Sequence, residues 1–209
     1  MRPISFTRSQ PAASGNSVAA AQLLNASGVI TLNGVLVSGG VATLTVPAVL
    51  TAFSEKSATV NFVVTGTAPG GASQVETLAV TASGTVTGSL SFATVTSVVA
   101  SAPTSATISV GNGVSGYTYW IPLDIYTPNQ VTNISAKTSG TVNYSVQYTN
   151  EDPYDRSIQQ VAVPHPNASL TAATGDETQF TTTLMRAVRL KINSGNGSVR
   201  FTIVQQSTK

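Results

Sequence analysis

The feature that most constrains this chain is a long succession of short segments in which apolar and polar residues alternate. They begin at Val29, are rich in Val, Thr, Ile and Tyr, and are separated by turn residues such as Asn33-Gly34 and Gly39-Gly40. Such alternation fits half-buried β-strands, whose successive side chains point to opposite faces. The segments are residues 59–67, 75–81, 92–101, 106–110, 117–126, 131–137 and 141–149, followed by 187–206. The expected fold is all-β, with antiparallel strands in sandwich or barrel-like domains.

The last segment, AVRLKINSGNGSVRFTIVQQ (187–206), has the clearest alternation. Its apolar positions lie on one face of each half, and residues 194–197 supply a turn. The pattern predicts a hairpin with an apolar inner face and a positive outer face. That outer face would carry Arg189, Lys191 and Arg200, and we expect it to meet an acidic partner surface.

Three ranges are expected along the chain. Residues 1–28 lack a sustained period, although residues 18–24 have a composition that would allow one or two helical turns. This stretch is predicted to be an N-terminal arm, either loosely ordered or lying on a neighbouring subunit through Arg2 and Arg8. The glycine-rich GNGVSG (111–116) then separates a first β domain, 29–112, from a second, 113–209.

Charge and cysteine content exclude several classes of site. The chain of 209 residues has 10 Lys and Arg against 8 Asp and Glu, without a basic run, so nucleic-acid binding is not expected. It has no cysteine, which excludes disulfides and thiolate metal sites. No apolar stretch is long enough for a membrane span or resembles a signal peptide, so we expect a soluble protein made in a cytoplasm. Only 9% of residues are charged, which suits a surface covered by copies of itself or by other subunits.

Three of the eight acids, Glu151, Asp152 and Asp155, occur together in TNEDPYDRS. With Asn150 they could supply oxygen ligands for Ca²⁺, but Pro153 divides them and they lack the spacing of a calcium loop. Proline ends a β-strand, and Asp and Asn favour turns, so a strand end with Arg156 offsetting the charge is the preferred interpretation. A cation site remains the alternative.

No combination of residues predicts catalysis or a cofactor. The single histidine, His165, lies in VPHPN and is expected to be a loop or packing residue. A hydrolytic triad would need a nucleophile beside it, and no G-x-S-x-G or phosphate-binding loop occurs. A β-sandwich hydrolase is therefore the least favoured hypothesis.

Three aromatic residues, Tyr117, Tyr119 and Trp120, stand close together at the start of the second predicted domain. Aromatic rings on a β-domain could stack on sugars, which would make the protein a carbohydrate- or receptor-binding module. The alternative is that they pack as core residues, because large aromatic side chains dominate small cores.

Four stretches together resemble small β-rich virion structural proteins of tailed bacteriophages. They are VITLNGVLVSGGVATLTVP (29–47), FATVTSVVASAPTSATISVG (92–111), VNYSVQYTNEDP (142–153) and MRAVRLKINSGNGSVRFTIVQ (185–205). The resemblance includes an L-N-G opening, a strand ending in D-D-P and a closing R-L-x-I-x-S-G-x-G-S-V pattern. Two positions depart from it: Glu151 stands in place of the first Asp, and Met185 occupies a position that is often apolar or flanked by proline.

The resemblance implies a non-enzymatic protein of the virion, assembled in the cytoplasm of a bacterial host. Capsid decoration, head–tail junction and tail positions are all compatible with it. The implied partners are major capsid, portal, neck or tail proteins and further copies of the chain itself. No catalytic residue, metal or cofactor is implied.

Overall fold

The computed structural model describes residues 3–9, 13–56, 59–126 and 131–205, and it confirms that the chain is all-β. Within these residues the backbone forms strands β1 to β17 and one short 3-10 helix, Ala168–Leu170. The chain divides into two compact units. Unit A comprises residues 11–114, and unit B comprises residues 1–10 together with 115–209. No helix in the described part of the chain is long and apolar enough to cross a membrane.

Unit A contains one antiparallel sheet of eight strands in the order β2-β9-β5-β8-β6-β7, with β3 paired to β8 and β4 to β5. The strands are β2 (Ser14–Leu23), β3 (Gly28–Val29), β4 (Val37–Ser38), β5 (Val41–Ser54), β6 (Val60–Thr67), β7 (Ser73–Val80), β8 (Gly84–Ala100) and β9 (Thr107–Asn112). Alternate side chains of these strands, among them Leu50, Phe62 and Phe92, meet in one core. The predicted alternation of apolar and polar residues is therefore confirmed, and the apolar side chains of the sheet meet in a single cluster.

Irregularities in the two long strands, β5 and β8, bend this sheet. Residues 44–47 of β5 stand opposite a single residue of β8, and Pro47 lies in this interruption, where the ladder needs no donor. Farther on, residues 88–90 of β8 stand opposite Leu50 alone. Such bulges bend a strand and increase its twist, which lets one sheet wrap around its own core.

The second bulge is held by Glu76, which reaches across from β7. Its Oε1 accepts the backbone N–H groups of Ser89, at 2.6 Å, and of Leu90, at 3.1 Å, together with the Ser89 hydroxyl. A Cβ at Gly88 would lie 2.4 Å from the Glu76 Oε2, so the absence of a side chain there lets the carboxylate approach. Beside it, Gln74 Nε2 donates to the carbonyl of Ser91. One carboxylate therefore satisfies backbone donors that the bulge leaves without a ladder partner.

Unit B is built from two sheets. Its strands are β1 (Ile4–Ser9), β10 (Gly116–Tyr117), β11 (Ile121–Pro122), β12 (Thr132–Ser139), β13 (Val142–Thr149), β14 (Val163–Pro164), β15 (Glu177–Thr181), β16 (Ala187–Gly195) and β17 (Ser198–Gln205). The four-stranded sheet has the order β1-β17-β12-β15, and the five-stranded sheet has the order β10-β16-β13-β14 with β11 also on β16. Ile134 and Phe201 of the first sheet share one core with Tyr144 and Leu190 of the second. Two sheets that bury their inner faces against each other form a β-sandwich.

The predicted hairpin at residues 187–206 is wrong. Strand β16 pairs with β13 in the five-stranded sheet, whereas β17 pairs with β1 and β12 in the other. The SGNGS stretch is therefore an arch that carries the chain from one sheet of the sandwich to the other. Residues 139–142 form a second arch between β12 and β13, and the two arches lie side by side.

Glycine makes the stacking of these arches possible. The backbone N–H groups of Asn196 and Gly197 both donate to the carbonyl of Thr141, at 2.9 and 2.8 Å. Gly195 has a φ of +112°, and a Cβ there would stand 2.3 Å from that same carbonyl oxygen. Only glycine adopts this conformation at low cost and leaves room for the neighbouring backbone. Each arch therefore fixes the position of the other.

The described part of residues 1–28 does not form a separate arm. Residues 4–9 form the edge strand β1 of unit B, and residues 14–23 form β2, which pairs with β9 in unit A. Strand pairing also replaces the helical turns suggested for residues 18–24, because tertiary context overrides weak helix propensity. The chain crosses between the units twice, near residues 10 and 114, so the N-terminal strand belongs to the same unit as the C-terminal half. The second crossing lies close to the boundary expected at residue 112.

Candidate functional site

The acidic cluster lies in the loop that follows β13, which ends at Thr149 as expected. Asp152 Oδ1 accepts the N–H of Tyr154, at 2.9 Å, and Asp155 Oδ1 accepts the N–H and hydroxyl of Ser157. Glu151 Oε2 accepts the N–H of Val161, at 2.6 Å. The bonds from Ser157 lower the pKa of the exposed Asp155 carboxyl below its ordinary value. Each of the three acids thus has a part in shaping this loop.

The ion pair of this loop is made by Arg186, whereas the sequence suggested Arg156. Arg186 Nη2 lies 2.9 Å from Asp152 Oδ2, and the backbone N–H of Arg186 donates to the carbonyl of Thr149. Both paired side chains are about two-fifths exposed, so the pair contributes little to stability, typically ~0–1 kcal/mol. Across the described ranges, no group of three or more His, Cys, Asp or Glu side chains is arranged to hold a metal ion. The turn explains the arrangement of the acids without an ion.

A second cluster forms around Arg189 on the outer face of the five-stranded sheet. The guanidinium carbon lies 3.8 Å from the ring centre of Tyr117 and 4.5 Å from that of Trp120. Arg189 Nε also donates to Gln147 Oε1, at 2.9 Å, directly across the ladder on β13. Burial lowers the pKa of Arg189 below its ordinary value, while the neighbouring Tyr117 acts in the opposite direction. We call Arg189 with Tyr117, Trp120 and Gln147 the arginine cluster.

A bulge in the edge of the sheet positions the aromatic rings. Residues 115–122 run along β16, with Tyr117 opposite Lys191 and Ile121 opposite Val188. Between these points Thr118 continues the ladder by bonding Leu190, so that residues 119 and 120 both face Arg189. The extra residue turns the Trp120 ring onto the guanidinium, as bulges commonly re-aim side chains.

The expected positive face is also wrong. Arg189 and Lys191 lie on β16 in the five-stranded sheet, whereas Arg200 lies on β17 in the four-stranded sheet. Because the outer faces of a sandwich point in opposite directions, these three cations do not form one surface. Arg189 is covered by aromatic rings, and Arg200 stands opposite Lys137 and Thr7 on the other sheet.

The aromatic residues picked out in the sequence do not form an open stacking platform. Tyr117 is buried, and one face each of Tyr117 and Trp120 is occupied by Arg189. Tyr119 is exposed, and the rings that Arg189 contacts are those of Tyr117 and Trp120. The packing interpretation therefore describes Tyr117 and Trp120, although a cation rather than the core provides the contact.

Two further predicted residues have defined positions. His165 is buried; its Nδ1 accepts the N–H of Asn167, at 3.1 Å, and its Nε2 finds no hydrogen-bond partner among the described residues. Burial lowers its pKa. Arg8 lies on the inward side of β1, where burial lowers its pKa to about 10 and the nearby Tyr119 opposes the shift. Arg2 lies outside the described residues.

The end of unit B opposite the arches carries most of its exposed apolar side chains. We call it the loop end: β12, β13 and β17 meet it at Thr132, Thr149 and Gln205, and its described loop residues are 122–126, 149–163 and 181–187. Both connections to unit A leave from the other end, near Ser9 and Ser115. The exposed apolar residues at the loop end are Ile125, Tyr126, Tyr154, Ile158, Val161, Val163, Phe180, Leu184 and Val204.

A cleft of about 170 Å³ opens at the loop end between two tyrosines. Tyr126 is 90% exposed and Tyr154 is 74% exposed, and the cleft between them is also lined by Ile125, by prolines and by Arg186. Each tyrosine follows an aspartate by two residues, and the backbone N–H of each donates to Oδ1 of that aspartate, Asp124 or Asp152. The repeated D-x-Y pattern is a sequence signal for this cleft, and our sequence analysis missed it.

The cleft therefore combines two exposed aromatic rings with Arg186, whose guanidinium pairs with Asp152 outside the cleft lining. No protein-family model, no curated protein and no solved structure matches the chain.

Proposed function

We propose that this chain is a non-enzymatic structural protein of a tailed-bacteriophage virion, placed as a capsid decoration (cement) or head–tail junction component. The observation that carries the proposal is the loop end of unit B. It exposes Phe180, Leu184 and Tyr126 on the side away from both connections to unit A. A concentration of exposed apolar side chains at one end of a unit supports a protein contact there. The assignment to a virion comes from the resemblance in sequence, and the loop end supports a role based on contacts.

The arrangement of polar groups supports a role without catalysis. The acids of the 150–161 loop accept local backbone hydrogen bonds, and His165 is buried with its Nδ1 bonded to a backbone N–H. A general base needs to reach a substrate proton, so these groups are poorly placed for that work.

The direct test is to ask whether the protein is part of particles. Purified virions of the encoding phage should contain it in many copies by quantitative mass spectrometry, and electron microscopy should place it on the head or at the head–tail junction. Absence of the protein from purified particles would refute the proposal.

A paired-variant experiment tests the loop end itself. Phe180→Ser with Leu184→Ser should reduce incorporation into particles by an order of magnitude or more, since apolar anchors dominate contact energies. Val29→Ser with Val35→Ser changes two exposed apolar residues in unit A and serves as the matched control. Equal incorporation of both variants would place the contact elsewhere.

A second candidate function, carbohydrate binding in the manner of a tail adhesin, is favoured by the tyrosine cleft. Exposed tyrosine rings offer an apolar face for a pyranose and a hydroxyl for its polar edge. Arg186 and Asp152 neutralise each other, so the cleft suits a neutral sugar better than an acidic one.

A glycan array with the wild type, Tyr126→Ala, Tyr154→Ala and the control Tyr119→Ala tests this second function. Tyr119 is also exposed but does not line the cleft. Binding that is lost only in the two cleft variants would support it. If the wild type binds no glycan, or if all variants bind equally, carbohydrate recognition at the cleft is excluded.

A further inference from the structure

Strand β1 is an edge strand of the four-stranded sheet, but it is far in sequence from the other strands of that sheet. It pairs along all six residues with β17, from Ile4 opposite Ile203 to Ser9 opposite Ser198. In the sequence, however, the whole of unit A lies between β1 and the next strand of unit B. The strand is therefore joined to its own sheet by hydrogen bonds and packing, and by covalent bonds only through residues 11–114.

The contacts that hold β1 are modest. Its residues alternate between half-buried and exposed, and none belongs to the fully buried core. Its apolar anchor is Phe6, whose ring meets the ring of Phe201 edge-on, with centroids 5.6 Å apart, and Arg8 lies half-buried on the same side of the strand. Edge strands with few buried apolar contacts are among the first elements to open in a folded protein.

The edge of β17 that β1 covers would be unfavourable if it were left open. Strand β17 carries the buried side chains Val199, Phe201 and Ile203, which belong to the unit B core. Without β1, the edge of β17 would present unpaired N–H and C=O groups beside the exposed face of Phe201. An open edge of this kind is a template for another strand, and the strand that fits it in register and side-chain pattern is β1 itself.

We propose that β1 is exchanged between copies, so that β1 of one chain pairs with β17 of another. This deepens the proposed function by naming a contact between copies, and it rests on the structural role assigned there. The contacts between β1 and β17 are the same within one chain and between two chains. Exchange therefore costs only the free energy of rearranging the connecting segment and of replacing a tethered strand by one from a separate chain. Reciprocal exchange gives closed dimers, while one-way exchange links copies in a row.

Concentration sets the balance between the two forms. Because the whole of unit A lies between β1 and the rest of unit B, the effective concentration of β1 near its own site is at most about 1 mM. At about 10 μM protein, roughly one site in a hundred would then be filled by another copy, rising to about half near 1 mM. Repeated copies on a particle approach the higher value, so assembly favours exchange even if the dilute protein is monomeric.

Disulfide trapping tests the exchange cleanly, because the chain has no cysteine of its own. The hydroxyls of Ser5 and Thr202 lie 2.9 Å apart on β1 and β17, so cysteines at these positions are close enough to join. One preparation carries only Ser5→Cys and the other only Thr202→Cys. When the two are mixed, a disulfide between positions 5 and 202 forms only if β1 of one chain reaches β17 of another.

The expected result is a 5–202 cross-link, identified by peptide mass spectrometry, whose yield rises at least tenfold between about 10 μM and 1 mM protein. Thr178→Cys replaces Thr202→Cys in the control, since Thr178 is an exposed hydroxyl residue on the same sheet that pairs with β12 and not with β1. Circular dichroism of each variant establishes that it is folded.

A 5–202 yield no higher than the 5–178 yield at every concentration would overturn the exchange. That failure would leave the virion role standing, because particle composition is measured separately. Conversely, trapped exchange in a protein absent from particles would refute the virion role and keep the exchange.

Discussion

Replacement of Arg189 by methionine tests whether the arginine cluster stabilises unit B. Methionine keeps a flexible side chain of similar length between Tyr117 and Trp120 but removes the charge and the hydrogen bond to Gln147. A hydrogen bond that involves a charged group contributes about 1.5–3 kcal/mol, and a partly desolvated cation on aromatic rings contributes about 0.5–2 kcal/mol.

Burial of the guanidinium offsets part of this gain. Its lowered pKa shows that the surroundings disfavour the charge, and methionine relieves that cost. We therefore expect Arg189→Met to lower the free energy of unfolding by about 1–3 kcal/mol. For a unit of roughly a hundred residues this corresponds to a fall in Tm of about 5–15 °C.

The chain provides its own probe, since Trp120 is its single tryptophan and lies in the arginine cluster. Urea unfolding followed by Trp120 fluorescence reports unit B, with each variant normalised to its own baselines. Lys191→Met is the matched control, because it removes a cation two residues farther along the same outer face. We expect less than about 0.5 kcal/mol for the control. Equal effects of the two substitutions, or no effect of Arg189→Met, would refute a stabilising role for the stacked guanidinium.

Three further predictions concern stability. Gly195→Ala should cost about 2–4 kcal/mol by urea unfolding, from backbone strain and a clash with a neighbouring carbonyl, while Gly175→Ala, at a site with open space, should cost little. Glu76→Ala should destabilise unit A by about 1.5–3 kcal/mol and speed amide exchange at residues 89 and 90, whereas the adjacent exposed Thr77→Ala should not. Burial lowers the pKa of His165, so below about pH 6.5 the unfolded chain binds more protons than the folded protein. The free energy of unfolding should therefore decrease as the pH is lowered through this range, by up to ~1.4 kcal/mol per pH unit. His165→Gln should flatten that slope between about pH 5 and 6.5, above the range in which carboxyl groups titrate, and an unchanged slope would assign the effect to another group.

The sequence predicted the strands of this protein better than their partners. Alternation at residues 187–193 and 198–205 marks two strands correctly, but the same pattern suits a hairpin and an arch. The difference lies in which neighbour each strand pairs with, and β13 and β12 are both distant in sequence. Because pairing between distant segments leaves no local signal, the positive face built on the hairpin was wrong together with it.

The glycines of residues 111–116 have two structural roles, and the sequence predicted only one of them. In GNGVSG the glycines suggested a boundary between domains, and the two units do divide between residues 114 and 115. Gly111, however, lies inside β9, where a Cβ would meet the carbonyl oxygen of Ser14 at 1.8 Å. The residue is there for close packing of β2 on β9. Similarly, the alternation of residues 4–9 was short enough to pass for an irregular arm, although each of them has a partner on β17.

The candidate site shows the same division between local and distant information. The turn around Asp152 and Asp155 was predictable, since Asp side chains bond their own backbone two residues on. The cleft was not, because it needs Tyr126 and Tyr154 to meet from loops that are far apart in the chain. The two D-x-Y turns each predict a projecting ring, but only the pairing of β11 and β13 with β16 brings them together.

Several of the few charged side chains interact with other groups of the same chain, and this bears on how the protein would recognise a partner. Glu76 serves a bulge, Asp176 accepts the N–H and hydroxyl of Thr138, Asp152 pairs with Arg186, and Arg189 lies against two aromatic rings. Uncharged hydroxyl and amide side chains occupy much of the remaining surface, as the pair Ser5 and Thr202 does on the four-stranded sheet. Charge steering speeds the encounter of strongly charged partners and weakens with salt. A surface of this kind lacks that aid, so its contacts must depend on apolar anchors and on backbone pairing, which are the two means that the loop end and β1 provide. Neither is screened by salt, so contacts made in these two ways would persist through changes of ionic strength.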